Sequence, residues 1–169
     1  MDRLTHLRLF TALWPPPRVR EAIALWQDTW TWPSQAARVR TDKLHVTLHF
    51  LGDVPASRVP ELVQSLRLPF EPFELELGDA RIWPNGVAVL QPPTTPPALL
   101  RLHAALGARL ARLALPVEER PYRPHVTLAR RAHAATPPPH GPGVHWEVDD
   151  GYVLVRSAGG TGYEVIERF

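Results

Sequence analysis

Cysteine is absent from the chain, which excludes disulfides and thiolate metal sites and leaves the redox compartment unread. No apolar run approaches the roughly 18 uninterrupted residues that a membrane span needs. Arg3, His6 and Arg8 interrupt the stretch where a secretory signal would hold its apolar core. A cytoplasmic protein with no membrane partner is therefore expected. Lysine is almost missing too: Lys43 is the only one, so the positive side is nearly all arginine, yet the formal net charge is only +2. Arginine presents a planar fork of donors suited to phosphate. A GC-rich coding sequence would give the same bias, together with the abundant Ala, Pro and Leu, so composition alone identifies no partner.

What is present is globular in type. The apolar fraction is 44% and the charged fraction 21%, and 169 residues suffice for one buried core or two small lobes sharing one. Alternation predicts a strand over Leu7–Leu13, stopped by Pro15-Pro16-Pro17. Apolar residues at Val19, Ile23 and Trp26 predict a helix within Arg18–Trp30, with Trp14, Trp26, Trp30 and Trp32 packing it, or one of them standing free as a base platform. A second strand is expected over Leu44–Leu51 and a short helix over Pro60–Leu68. Strands follow at Phe73–Leu77, Ala80–Trp83 and Gly86–Leu90, with a turn at Pro84-Asn85-Gly86 and a proline-rich connector from Gln91 to Pro97. Leu99–Leu115 has leucines at helical spacing, and a loop then delivers a strand over His125–Ala129. Arg131–Gly143, rich in proline, reads as a mobile surface loop. Strands at Val144–Val148, Tyr152–Val155 and Tyr163–Phe169 close the chain, the last after a Gly159–Gly162 turn.

One tetrapeptide occurs twice, as His45-Val46-Thr47-Leu48 and His125-Val126-Thr127-Leu128, each time after a predicted helix. A strand has a side-chain period of two, so each copy turns Val and Leu to one face and His and Thr to the other. A lone His-x-Thr in a strand is unremarkable, but two identical copies in matching halves are hard to assign to chance. The pattern predicts an α+β fold built from a duplicated unit, with both His-Thr pairs lining one cleft across an approximate two-fold axis. Two imidazoles facing each other across a phosphate suit acid–base chemistry. One accepts a proton from the attacking water or hydroxyl and the other protonates the leaving oxygen. The threonine hydroxyls can hydrogen-bond the non-bridging oxygens, and no metal is required.

These paired motifs resemble the His-x-Thr-x pairs of the 2H phosphoesterase superfamily, and more narrowly the bacterial RNA 2′,3′-cyclic phosphodiesterases, also called 2′-5′ RNA ligases. The resemblance extends to Arg8-Leu-Phe-Thr-Ala-Leu13, Leu44-His-Val-Thr-Leu-His-Phe-Leu-Gly52, Arg120-Pro-Tyr-Arg-Pro-His-Val-Thr-Leu-Ala-Arg130, Gly162-Tyr163 and the terminal Phe169. It implies a single bilobal domain over residues 1–169, with two similar lobes of antiparallel sheet and flanking helices around a central cleft. It also implies hydrolysis of a terminal 2′,3′-cyclic phosphate to a 2′-phosphate, with reversible 2′-5′ ligation as an accompanying activity. On that analogy His45 is the proton donor, His125 the proton acceptor, and Thr47 and Thr127 hold the phosphate. The expected partners are RNA ends carrying the cyclic phosphate, or nucleotides, met by a monomer without cofactor or metal.

Arg130 resembles an arginine that the family uses on the phosphate, and Phe50, at the equivalent place after the first motif, resembles a base-stacking residue. Strict alternation puts both on the face opposite the histidines, so their roles need a bulge or a strand end. Arg123, between Pro121 and Pro124, is a candidate for bracing the second strand or touching RNA. His49 shares parity with His45 and is expected at the cleft rim. Its spacing from His45 resembles a zinc pair, but that geometry needs a helix. His133, His140 and His145 are expected to be surface residues. Three rivals stand beside the RNA phosphodiesterase: an enzyme on small cyclic nucleotides or an ADP-ribose cyclic phosphate, a non-catalytic RNA-end-binding module, and a histidine-rich metallohydrolase. Retention of both His-Thr pairs disfavours the binding module, and the lack of Cys and of motif acids disfavours the metallohydrolase.

Overall fold

The computed structural model describes residues 5–159 and 162–169. The expected Gly159–Gly162 turn falls partly outside these, at residues 160 and 161. Strand β1 (His6–Leu13) leads through Pro15-Pro16-Pro17 into helix α1 (Pro17–Gln27), whose Val19, Ile23 and Trp26 are buried. Proline at the first helical position costs nothing there, since that N–H has no intrahelical partner. A two-residue strand β2 (Ala37–Arg38) precedes β3 (Val46–Pro55), and α2 (Val59–Leu66) follows. Then come β4 (Phe73–Leu77), β5 (Asp79–Ile82), β6 (Ala88–Gln91), α3 (Pro97–Arg112) and β7 (Val126–Arg130). The chain closes with β8 (Val144–Val148), β9 (Val153–Ser157) and β10 (Tyr163–Arg168). The first helix stops three residues earlier than expected, where Thr29 Oγ1 donates to Trp26 O. The third starts earlier, at the prolines assigned to the connector, and ends before Ala114, whose φ is +57°.

The main sheet is antiparallel throughout, in the order β10-β9-β1-β3-β7-β6-β5, with β2 alongside β7. β4 and β8 form a separate two-stranded ladder centred on Leu75 opposite Trp146. The element series β1-α1-β3-β4-β5 is repeated as β6-α3-β7-β8-β9, so a pseudo-two-fold axis passes between β3 and β7 and between β4 and β8. Each lobe borrows a strand: β5 of the first unit pairs with β6, and β9 of the second pairs with β1. The helices cross over as well, α1 lying on β8 and α3 on β3. The sequence halves are thus not the lobes. One buried cluster, including Leu9, Leu44, Leu75, Leu90, Leu128 and Trp146, runs through both units. The two half-sheets meet at a single register pair, Val46 with Val126, and splay from it.

The 131–143 segment is not the free loop expected from its prolines. Thr31 and Thr136 exchange backbone hydrogen bonds of 2.9 Å, Ala132 N donates to Gly86 O at 2.8 Å, and Trp26 Nε1 donates to His140 O at 3.2 Å. Ala132 and Ala135 are buried. His133 lies over the Pro84-Asn85-Gly86 turn, where Gly86 has a φ of +84° and a Cβ would stand 2.3 Å from the imidazole. Small residues and glycine let this segment lie close enough to be pinned, which proline counts do not reveal. Of the four tryptophans expected on α1, Trp26, Trp30 and Trp32 pack together, Trp30 stacked on Trp32 at 4.7 Å. Trp14 goes elsewhere, as described next.

Candidate active site

The two motifs have the same burial sequence from 45 to 50 and from 125 to 130: half-buried, buried, half-buried, buried, buried, exposed. Val46 and Val126 face the core, and both have no exposure. On the register of that antiparallel pair, His45 lies opposite Thr127 and Thr47 opposite His125. All four side chains share one face, and the histidines are diagonal neighbours, roughly 7–8 Å apart along the backbone in an ordinary ladder.

Each imidazole is held in a defined orientation. His45 Nδ1 and Lys43 O are 2.7 Å apart, as are His125 Nδ1 and Arg123 O. A carbonyl only accepts, so Nδ1 carries the proton in both rings and Nε2 is left as the unprotonated nitrogen. His45 Nε2 then accepts from the Thr47 hydroxyl at 2.9 Å. The equivalent residues two places before the histidines, Lys43 and Arg123, are both basic. The Lys43 ammonium lies over the Tyr163 ring at 5.1 Å and the Arg123 guanidinium over Trp83 at 4.5 Å. Those rings in turn meet the imidazoles edge-on, Tyr163 to His45 at 5.4 Å and Trp83 to His125 at 4.4 Å. Phe10 and Trp14 complete the wall around His45 at 5.0 and 5.8 Å.

The electrostatics favour an anion. Burial pushes the His45 pKa down to about 4, opposed by the Lys43 carbonyl and assisted by the positive Arg20 and by His125. Burial also lowers His125, with Arg123 and Arg130 adding repulsion. Arg20 stacks on Trp14 at 4.5 Å and donates from Nε to Leu44 O at 3.1 Å, while its buried Nη2 has no hydrogen-bond partner among the described residues.

Phe50 and Arg130 rejoin this face because both strands bulge at matching places. In β3 the pairing with β1 skips Leu48, and in β7 the pairing with β6 skips Leu128. One extra residue flips the parity beyond it. Phe50 is 71% exposed and meets Phe10 at 6.0 Å. With Arg8, Phe10, Ser157 and Tyr163 it lines a recess of about 270 Å³ beside His45. The same flip removes His49 from the cleft: it is only 4% exposed, beneath the sheet, which corrects its expected place at the rim. His133 and His140 lie with the pinned segment, and His145 is exposed beside Glu74 and Glu76 on the outer β4–β8 ladder. Lys43, Arg20, Phe10 and Trp83 join the site without a mark in the local sequence pattern. Only comparison of the two motifs, basic at both 43 and 123, gives a readable signal, because the aromatic walls come from distant strands and turns.

A family model described as the 2′-5′ RNA ligase superfamily matches residues 15–158. The RNA 2′,3′-cyclic phosphodiesterase of Escherichia coli (strain K12) is 37% identical over 142 residues, 82% of this chain and 80% of that protein. The enzyme of the same name from Thermus thermophilus is 34% identical over 179 residues, covering 96% of this chain and 89% of that one. Among solved structures, E. coli LigT complexed with 3′-AMP matches at a TM-score of 0.87 and 33% identity, with 97% of each chain covered. A crystal structure of a phosphoesterase matches at 0.87 and 34%, covering 96% of this chain and 97% of that one.

Proposed function

The chain belongs to the 2′-5′ RNA ligase superfamily, and from that premise we propose an RNA 2′,3′-cyclic phosphodiesterase that opens a terminal cyclic phosphate to a 2′-phosphate with His45 and His125. What supports this reading is the Val46–Val126 pair, on whose antiparallel register two Nδ1-anchored imidazoles and two threonines share one face. His125 Nε2 takes a proton from water as the water oxygen bonds to phosphorus. His45 Nε2 delivers a proton to O3′ as the P–O3′ bond breaks, leaving the phosphate on O2′. Thr47, Thr127 and Arg130 hold the non-bridging oxygens, and negative charge building there meets donors already oriented. If an RNA 5′-hydroxyl replaces water, the same proton transfers form a 2′-5′ linkage.

Both imidazoles are held below their ordinary range in the free protein. His45 therefore takes its proton from solvent as the substrate binds, the negative charge of the phosphate opposing the burial and the repulsion from Arg20. The terminal base enters the recess between Phe50 and Tyr163 and stacks there, while Arg123, on Trp83, fixes the carbonyl that orients His125 and faces the incoming strand. The proposal includes a single bilobal domain, acting as a cytoplasmic monomer without metal or cofactor. No helix among the described residues is long and apolar enough to cross a membrane.

The test is product analysis on an oligonucleotide ending in a 2′,3′-cyclic phosphate, with a chelator present and with a 2′,3′-cyclic mononucleotide in parallel. A 2′-phosphate end, formed at an unchanged rate in chelator and faster on the oligonucleotide, is the expected result. A 3′-phosphate, abolition by chelator, or turnover of the mononucleotide alone would overturn it.

A further inference from the structure

Beneath the catalytic face lies a second set of rings that the chemistry above does not use. His49 of β3 stacks on His103 of α3 at 4.0 Å and 17°, and His103 stacks on Tyr122 at 3.9 Å and 10°. The three rings form one column from the first motif, through α3, to the loop just before His125. Each ring also grips backbone. His49 Nε2 donates to His103 O at 2.8 Å, His103 hydrogen-bonds the backbone of Leu48, and the Tyr122 hydroxyl donates to Thr47 O at 2.7 Å. His49 N in turn donates to Thr11 Oγ1 at 3.1 Å. The grips of Tyr122 and His103 fall on Thr47 and Leu48, which with His49 form the bulge that turns Phe50 toward the cleft.

The helix is shaped to seat this column. Gly107, one turn after His103, sits mid-helix, where glycine costs about 1 kcal/mol relative to alanine. A Cβ there would stand 3.3 Å from His49 Cε1 and 3.5 Å from Nε2. Burial holds the Tyr122 phenol well above its usual range and lowers both imidazoles, so the column is uncharged and packs as three neutral rings.

We propose that the His49–His103–Tyr122 column is a positioning clamp that ties the two halves of the site together. Tyr122 holds Thr47 of the first half by its carbonyl. One residue later in its own loop, Arg123 offers the carbonyl that fixes the His125 tautomer. A shift of the β3 bulge is therefore carried to His125, and a shift of the 116–124 loop is carried to Thr47 and His45. The coupling between halves stands on the geometry alone, whereas its catalytic consequence rests on the phosphodiesterase reading.

Tyr122→Phe keeps the ring in the column and removes only the bond to Thr47 O. His103→Phe likewise keeps a ring while removing the grip on Leu48. In both variants kcat on a cyclic-phosphate oligonucleotide falls about tenfold while KM stays within about twofold, because the groups remain but are misplaced at the reacting atoms. Imidazole NMR signals of both His45 and His125 shift in Tyr122→Phe, although the substitution touches neither ring. Unmoved His45 and His125 signals overturn the clamp, as does a Tyr122→Phe kcat within twofold of the unaltered protein. If the unaltered protein fails to open the cyclic phosphate, the phosphodiesterase reading falls, and the NMR shifts alone decide the clamp.

Discussion

Acidification should destabilise this protein in a way that two histidines dominate. His45 and His103 are both driven from an ordinary value of 6.5 to about 4 by burial. An unfolded histidine takes up its proton near 6.5, and the folded one only near 4. Between those values the unfolded chain binds more protons, so stability falls as pH drops below about 6.5 and the loss levels off below about 4. At pH 5 the difference is roughly 2 kcal/mol for His45 and, after allowance for solvent screening of the half-buried ring, about 1 kcal/mol for His103. That is a large share of the roughly 5–15 kcal/mol by which domains are stable. Urea titrations at about pH 7.5 and about pH 5, with the slope held common, measure it directly. His103→Gln should lower the stability at neutral pH yet reduce the loss on acidification by roughly a third. A midpoint that does not move over this range, or a loss in His103→Gln equal to that of the unaltered protein, would refute the argument that these rings are buried neutral.

Three substitutions in the cleft have outcomes set by its geometry. Thr47→Val removes the partner of His45 Nε2 and, on the proposed mechanism, a phosphate contact, so kcat should drop about 10²-fold, in the range found for a lost oxyanion donor. Thr127→Val, by symmetry, should fall in the same range, and steady-state rates check both. Phe50→Ala should raise KM for a cyclic-phosphate oligonucleotide by about tenfold with kcat little changed, since base stacking contributes about 1–3 kcal/mol. An unchanged KM would remove Phe50 from the base site.

The candidate site was more legible in the sequence than the architecture was. Repeated His-Val-Thr-Leu segments on strands are enough to put the four polar side chains on one surface, because strand parity is local. Local rules then fail at Leu48 and Leu128, where the bulges restore Phe50 and Arg130 to the face and send His49 into the core. A bulge is set by the partner strand, here β1 or β6, and leaves no mark in the motif itself. The lobes were legible as a duplication but not as an exchange of β5 and β9, since strand pairing between units is a long-range matter. The aromatic walls around the histidines come from Trp14, Trp83 and Tyr163, on three different segments, and the pinning of 131–143 depends on one glycine and two alanines. Periodicity does not report contacts of that kind.

Removal of each imidazole, with an altered leaving atom, tests the two-histidine account most directly. His45→Ala and His125→Ala should each lose roughly 10²–10⁴-fold in kcat on a 2′,3′-cyclic phosphate. A substrate with sulfur in place of the 3′ bridging oxygen needs no proton on its leaving atom. That substrate should restore His45→Ala toward the unaltered rate and leave His125→Ala slow. Near-normal rates in either variant would contradict the paired mechanism, and rescue of His125→Ala instead would reverse the roles assigned to the two histidines.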